Sequence, residues 1–251
     1  MARVFISGSS TGLGLMAGQL LVEQGHQVVL HARNRGRAEA ARASLSEVEN
    51  VVIGDLSTIA GARSVAEQVN KLGRFDAVIH NAGVGYRERR IATADGLPHV
   101  FAINTLAPYL LTALIERPKR LVYLSSGMHR SAEANLHDLT WNSRSRAGAQ
   151  AYAESKLHDV LLAFAMARRW PTVLSNAMEP GWVATRMGGS GASDDLDQGT
   201  GPRSGWPSAR TRRRAPPANI SIICASARRT RRSATRRCRG NWSRRAGESR
   251  A

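Results

Sequence analysis

The chain has 251 residues, 42% of them apolar, and a formal net charge of +17. That length can bury one sizeable core, no run of 18 apolar residues marks a membrane span, and two cysteines are too few for a disulfide framework or a usual zinc site. The charge is unevenly held: residues 200–251 carry 15 arginines against one acid, a net of +14, whereas residues 1–199 are nearly balanced at +3.

The N-terminus opens directly on an apolar run rather than on a basic leader, which reads as a soluble, cytoplasmic chain. That run, residues 3–7, predicts a strand ending in Gly8, and a helix pattern over about 12–24 follows. Between them lie Ser10, Thr11, Gly12, Leu13 and Gly14. A strand that turns through glycines into a helix offers bare N–H groups at a helix N-terminus, a seat for a pyrophosphate. Gly8 suits the tight turn, Gly12 the close approach of phosphates, and Gly14 close packing of helix on strand. The spacing is G-x-x-x-G-x-G, and a plain glycine-rich turn is the competing explanation.

Further strands are predicted at 27–31, 51–53, 76–80, 120–125 and 172–178. Helices alternate with them at about 36–48, 58–72, 96–115 and 150–170. Such alternation predicts a Rossmann-like α/β fold: a doubly wound parallel sheet in three α/β/α layers, spanning residues 1–199. Strands such as Val28-Val-Leu30 do not alternate, as expected when both faces are buried.

The chemistry-bearing residues collect at the carboxyl ends of these strands, where such sheets bind ligands. Asp55-Leu56 follows the third strand, Asn81-Ala82-Gly83 the fourth, Ser125-Ser126 the fifth, and Pro180-Gly181 the sixth, with Val183 and Thr185 just beyond. Asn104 lies within the long helix pattern. Tyr152 and Lys156 stand four apart on a helix face, so both can address one site; the chain has only four Tyr and three Lys. His80, His129 and His158 have no metal-ligand spacing and read as structural.

These motifs, in this order, resemble the short-chain dehydrogenase/reductase family over residues 3–198. The resemblance implies an oxidoreductase acting on CH–OH groups, with hydride passing between a nicotinamide cofactor and a carbonyl or alcohol. Tyr152 is then the general acid/base, Lys156 its cationic neighbour and a holder of the ribose hydroxyls, Ser126 a hydrogen-bond donor to the substrate oxygen, and Asn104 the anchor of a proton-relaying water. A free phenol titrates near pH 10, and moving it by roughly 3 units takes about 4 kcal/mol, a demand that nearby positive charges can meet. Ser125 is the alternative to Ser126, because strand neighbours face opposite ways, and backbone bonding is the alternative for Asn104.

Ser126 and Tyr152 are 26 residues apart, about twice the family's usual interval. The segment 125–139 resembles the retinol-dehydrogenase-like subgroup, which implies a lipophilic substrate; a rim loop without effect on choice is the other reading. After the second strand come Arg33 and Asn34, and no acid stands between Gln24 and Glu39. Arginine accommodates the 2′-phosphate of NADP, so NADP(H) is the expected cofactor, with Arg33 at that phosphate. Asp55 is expected at the adenine end, Thr185 at the carboxamide and phosphates. Family members often form homo-oligomers.

From residue 200 the periodicity collapses into Arg-Arg repeats. Pairing the third base of each codon with the first two of the next lets 219–225 read Tyr-Phe-Tyr-His-Leu-Arg and 199–208 read His-Arg-Thr-Gln-Val-Trp-Leu-Ala-Val. A frameshift is therefore expected, with residues 200–251 disordered and no seventh strand to cover the sheet edge. The competing explanation is a nucleic-acid arm, weakened by the absence of lysine and the scarcity of aromatic residues. A non-catalytic NADP-binding redox sensor is the remaining alternative function.

Overall fold

A computed structural model describes residues 1–89, 91–133, 136–142, 148–181, 183, 185 and 187–189, together with the backbone of 221–224. Seven strands form one sheet: β1 (Arg3–Ile6), β2 (Gln27–Ala32), β3 (Asn50–Ile53), β4 (Ala77–His80), β5 (Arg120–Leu124), β6 (Leu174–Glu179) and β7 (Ser221–Cys224). Their order is β3-β2-β1-β4-β5-β6-β7, parallel throughout except for the last pair. The helices are α1 (Gly12–Glu23), α2 (Arg35–Ser44), α3 (Ile59–Lys71), α4 (His99–Phe101), α5 (Ala107–Leu114) and α6 (Gly148–Arg169).

Strand β1 shows how short apolar runs build both layers at once. Side chains alternate across a strand, so Val4 and Ile6 enter the core beneath α1 and α2, while Phe5 enters the core shared with α3, α5 and α6. The β-branched runs Val28-Val29 and Val51-Val52 divide in the same manner. Helix starts are specified locally. The Asn34 side chain accepts from Arg37 N at 3.0 Å to begin α2, and Thr58 Oγ1 accepts from Gly61 N at 3.0 Å to begin α3.

Two boundaries differ from the sequence reading. Helix α2 stops at Ser44, where Leu45 turns extended, rather than running to residue 48. The long pattern 96–115 starts only after Pro98 and contains a π-helical turn, Ala102–Leu106, between α4 and α5. Proline fits a helix start because it lacks the N–H that would stay unbonded there.

The expectation of an uncovered sheet edge is corrected. Ser221–Cys224 runs antiparallel to β6, pairing Asn176 with Cys224 and Glu179 with Ser221. The reason is local composition: Ile220-Ser-Ile-Ile223 is an apolar, β-branched run within an otherwise arginine-rich segment. The rest of 200–251, including the stretch expected to encode a helix and the boundary at residue 199, lies outside the described residues.

The chain reverses its direction of travel between β1, which neighbours β2, and β4 on its other side. That switch point opens a crevice at the carboxyl ends of β1 and β4. The glycine turn and Asn81–Gly83 lie there.

Candidate active site

The glycine turn is held by its neighbours rather than by its own side chains. Gly8 has φ +63° and Gly12 φ +60°, the left-handed region that favours glycine. Asn81 Nδ2 donates to the carbonyls of Ser7 and Gly8 at 3.0 and 2.7 Å, while Ser7 Oγ accepts from the N–H groups of Asn81 and Ala82. A side chain on Gly8 would meet Ala82, and one on Gly14 would meet the Asn81 amide and the Gly8 carbonyl. Above Gly12, by contrast, the space is open.

Helix α1 begins at Thr11 without a side-chain cap and with no acid in its first turn. Ser10 and Leu13 are half-buried, and Thr11 and Gly12 are exposed. An open space before an uncapped helix N-terminus suits a phosphate group. These residues fit a dinucleotide.

On the far side of the turn, Arg33 and Asp55 are exposed at the ends of β2 and β3. Asp55 Oδ1 accepts from Ser57 N at 2.9 Å, Asn34 is committed to capping α2, and Leu56 is a core side chain. One residue that the sequence reading missed joins this edge together. His31 Nδ1 accepts from Gly8 N at 2.9 Å, and its Nε2–H donates to the Gly54 carbonyl at 2.9 Å. Burial lowers its pKa, which keeps the ring neutral and able to accept.

The side chains expected to do the chemistry stand on the β4–β5 side. Asn104 sits in the π-helical turn, a feature frequent at functional sites. Its Oδ1 accepts from Val84 N at 2.8 Å, and its Nδ2 donates to Val84 O and to Ser155 Oγ, each at 3.0 Å. Ser155 in turn donates to the Tyr152 carbonyl at 2.7 Å. Gly83 is the spacer between this clip and the lysine: a methyl group there would lie 3.5 Å from Asn104 Oδ1 and 3.6 Å from Lys156 Nζ.

Lys156 is only 5% exposed. Its Nζ donates to the Leu124 carbonyl at 2.7 Å and to Asp159 Oδ2 at 2.9 Å, and lies 5.8 Å from the centre of the Tyr152 ring. Burial disfavours the ammonium, but the Asp159 carboxylate and, to a smaller extent, Tyr152 together outweigh that and raise the lysine pKa. Asp159, 2% exposed, is pushed up to about 6 by its own burial, with Lys156 pulling the other way. At neutral pH the two form a buried ion pair.

The Tyr152 hydroxyl donates weakly to Met187 Sδ at 3.9 Å, and its ring meets Tyr86 edge-on at 6.2 Å. The two serines after β5 differ. Ser125 is buried and donates to the Lys156 carbonyl at 2.8 Å. Ser126 is half-buried, and among the described residues its hydroxyl is engaged by a long 3.4 Å bond from Met128 N. Beyond β6, Gly181 has φ +84°, Val183 is buried, and Thr185 Oγ1 accepts from Gly188 N at 3.2 Å. Pro180 connects β6 to this segment.

The structure therefore brings the glycine turn, Asn81–Gly83, Asn104, Lys156 and Tyr152 into one continuous set of contacts. Arg33, Asn34 and Asp55 occupy its outer edge. Among the described residues no cluster of His, Cys, Asp and Glu is arranged to hold a metal, and no helix is long and apolar enough to cross a membrane. Asp159, Tyr86 and Met187 were missed by the sequence reading; the spacing of three residues from Lys156 was the one available signal for Asp159.

Residues 2–122 match the family model described as short chain dehydrogenase. The chain is similar to "Uncharacterized oxidoreductase AN7799" of Emericella nidulans, with 48% identity over 202 residues that cover 79% of this chain and 76% of the relative. It is also similar to human "Retinol dehydrogenase 13", with 31% identity over 199 residues covering 74% and 60%. Among solved structures it resembles a putative uncharacterized protein from Mycobacterium Paratuberculosis, with TM-score 0.69, 28% identity and coverage of 81% and 74%. The chain is an oxidoreductase of the short-chain dehydrogenase/reductase family.

Proposed function

We propose that the chain transfers hydride between NADP(H) and a carbonyl or alcohol substrate at a Ser126–Tyr152–Lys156–Asn104 site. The observation that carries this reading is the placement of Lys156 Nζ beside Gly83, at the crevice of the glycine turn, with the Tyr152 ring 5.8 Å from that ammonium on the same face of α6. Residues 1–199 are the catalytic domain in this reading, and 200–251 the product of a shifted reading frame.

A bound nicotinamide ring supplies or accepts the hydride. The chain's own residues do the rest. Tyr152 gives its hydroxyl proton to the substrate oxygen in reduction, or takes one in oxidation. Lys156 carries its positive charge beside the phenol and favours the phenolate. Two of its three donors face Leu124 and Asp159, and the third is assigned to the ribose hydroxyls. Ser126 donates to the substrate oxygen; its loosely engaged hydroxyl favours it over Ser125, which is spent on the α6 backbone.

Asn104 supports the Val84 backbone and, through Ser155, the carbonyl of Tyr152. That geometry favours a positioning role over a water anchor. Arg33 is exposed at the end of β2, where it can reach a 2′-phosphate. The 2′-phosphate assignment falls on Arg33 because its guanidinium supplies positive charge as well as donors, whereas the Asn34 side chain, whose Oδ1 accepts from Arg37 N, has only its neutral Nδ2 group to offer. Met187 lies at the Tyr152 hydroxyl and the Tyr86 ring against the Tyr152 ring, and this apolar surface favours a lipophilic carbonyl.

A screen of aldehydes, ketones and quinones for NADPH oxidation tests the reading, with Tyr152→Phe as control. Turnover in the parent that vanishes in the variant is the expected result. Cofactor binding with no turnover across the screen would replace the enzyme by a redox sensor.

A further inference from the structure

Resting on the assignment of Tyr152 and Lys156 above, one buried acid remains without a role. Residues 152, 156 and 159 follow one another at helical spacings of four and three, so they form a stripe on one face of α6. The last of them, Asp159, is not on the surface: it is 2% exposed, and its Oδ2 accepts from Lys156 Nζ at 2.9 Å. We propose that Asp159 is a positioning residue, which aims the Lys156 ammonium at the cleft and keeps it cationic inside a dry site.

The surroundings leave Lys156 as the cation that answers this carboxylate. On β5, the Tyr123 hydroxyl is bonded to Thr112 Oγ1 at 2.8 Å; burial holds its proton firmly, and the Asp159 charge adds to that. On β4, His80 stacks on Tyr123 at 4.7 Å and bonds Thr112 at 3.0 Å, and burial keeps it neutral. On α6 itself, Tyr152 lies one turn before the lysine, and His158 faces away to the Thr105 hydroxyl at 3.1 Å. A buried charge without a partner is costly. Removal of the carboxylate therefore takes away the larger of the influences that oppose burial and leaves only the smaller one of Tyr152, and burial drives an ammonium to lose its proton.

The geometry adds positioning to charge. Lys156 Nζ is tethered at two points, the Leu124 carbonyl at the end of β5 and Asp159 one turn further along α6. The tethers lie on two elements and fix the direction of the remaining N–H. A neutral amide at position 159 keeps the volume and a hydrogen-bond acceptor but supplies no charge.

The chain has three lysines, Lys71, Lys119 and Lys156, so the test can be read directly. In the full chain labelled with 15N-lysine, each Nζ is titrated by NMR, with exposed Lys71 and Lys119 as internal references. The parent is expected to show Lys156 titrating no lower than those two, despite its burial. In Asp159→Asn the Lys156 midpoint falls by about one pH unit or more with the references unmoved, and Asp159→Glu restores it toward the parent. A Lys156 midpoint below the references in the parent, or unmoved in a folded Asp159→Asn protein, overturns the proposal; the parent measurement holds even if the variant does not fold. A parent that turns over no carbonyl yet shows the Lys156 shift supports the ion pair and sinks the enzymatic reading instead.

Discussion

The two sides of the switch point work by different means. Around β1, β2 and β3 the crevice is lined mainly by backbone: the turn at Gly8 to Gly14, the uncapped start of α1, and polar side chains that hold main-chain groups in place, Ser7 and His31 from this side and Asn81 from the end of β4. Around β4, β5 and α6 it is lined by the polar side chains proposed to do the chemistry, and of these Asn104 and Lys156 are buried and held by hydrogen bonds. The first side needs particular residues because of what they lack, and the second because of what they carry. Substitutions should therefore act through shape on one side and through chemistry on the other.

The largest expected effect tests the chemical side. Tyr152→Phe removes one oxygen, and turnover should fall about 100- to 10,000-fold, the usual contribution of a general acid/base, while NADPH affinity by fluorescence titration stays near the parent value. A variant that retains a tenth of the parent rate would break the contrast. Next comes shape. Gly14→Ala drives a methyl group into the Asn81 amide and the Gly8 carbonyl, and overpacking of that kind costs about 1–3 kcal/mol. Chemical denaturation should show the loss, accompanied by weaker cofactor binding.

Arg33→Ala sharpens the comparison at the outer edge. Loss of one exposed, charge-assisted phosphate contact should weaken NADPH binding about tenfold and leave NADH nearly unaffected, as read from the ratio of their dissociation constants. The smallest effect is on stability against pH. Burial holds His80 down at about 3 in the fold, whereas an unfolded imidazole takes its proton near pH 6.5. The folded state thus binds fewer protons below 6.5, so stability is full above that pH and declines as pH falls toward 3. Between pH 6.5 and 5.5 the loss should be about 1 kcal/mol. His80→Gln should remove that part of the slope in paired denaturation curves.

The same contrast explains what could be read from the sequence. The parallel sheet, the glycine turn and the Tyr152/Lys156 pair were legible because each depends on local spacing: β-branched runs, glycine positions, or a helical interval of four. Contacts between distant segments were not. Asn34 was read only as a cofactor residue, and its second task, closing the first turn of α2 through Oδ1 onto Arg37 N, was not foreseen. Asn104 looked like part of a regular helix, but the chain widens to a π-turn there and its amide reaches back 20 residues to Val84. His31 ties Gly8 to Gly54 across three strands, and no pattern within β2 announces it. In the arginine-rich segment the charge pattern hid four residues that still pair with β6.

One modest contact limits how the enzyme can move. The Ser125 hydroxyl is bonded to the carbonyl of Lys156 at 2.8 Å, so the end of β5 is latched to the middle of α6 at the buried lysine. A sliding or tilting of that helix would have to break the latch and the Leu124 tether together. The sheet and α6 therefore behave as one rigid anvil, and any adjustment of the crevice falls to the segments not latched in this way, such as the 3₁₀ turn Gly127–Ser131 that follows Ser126.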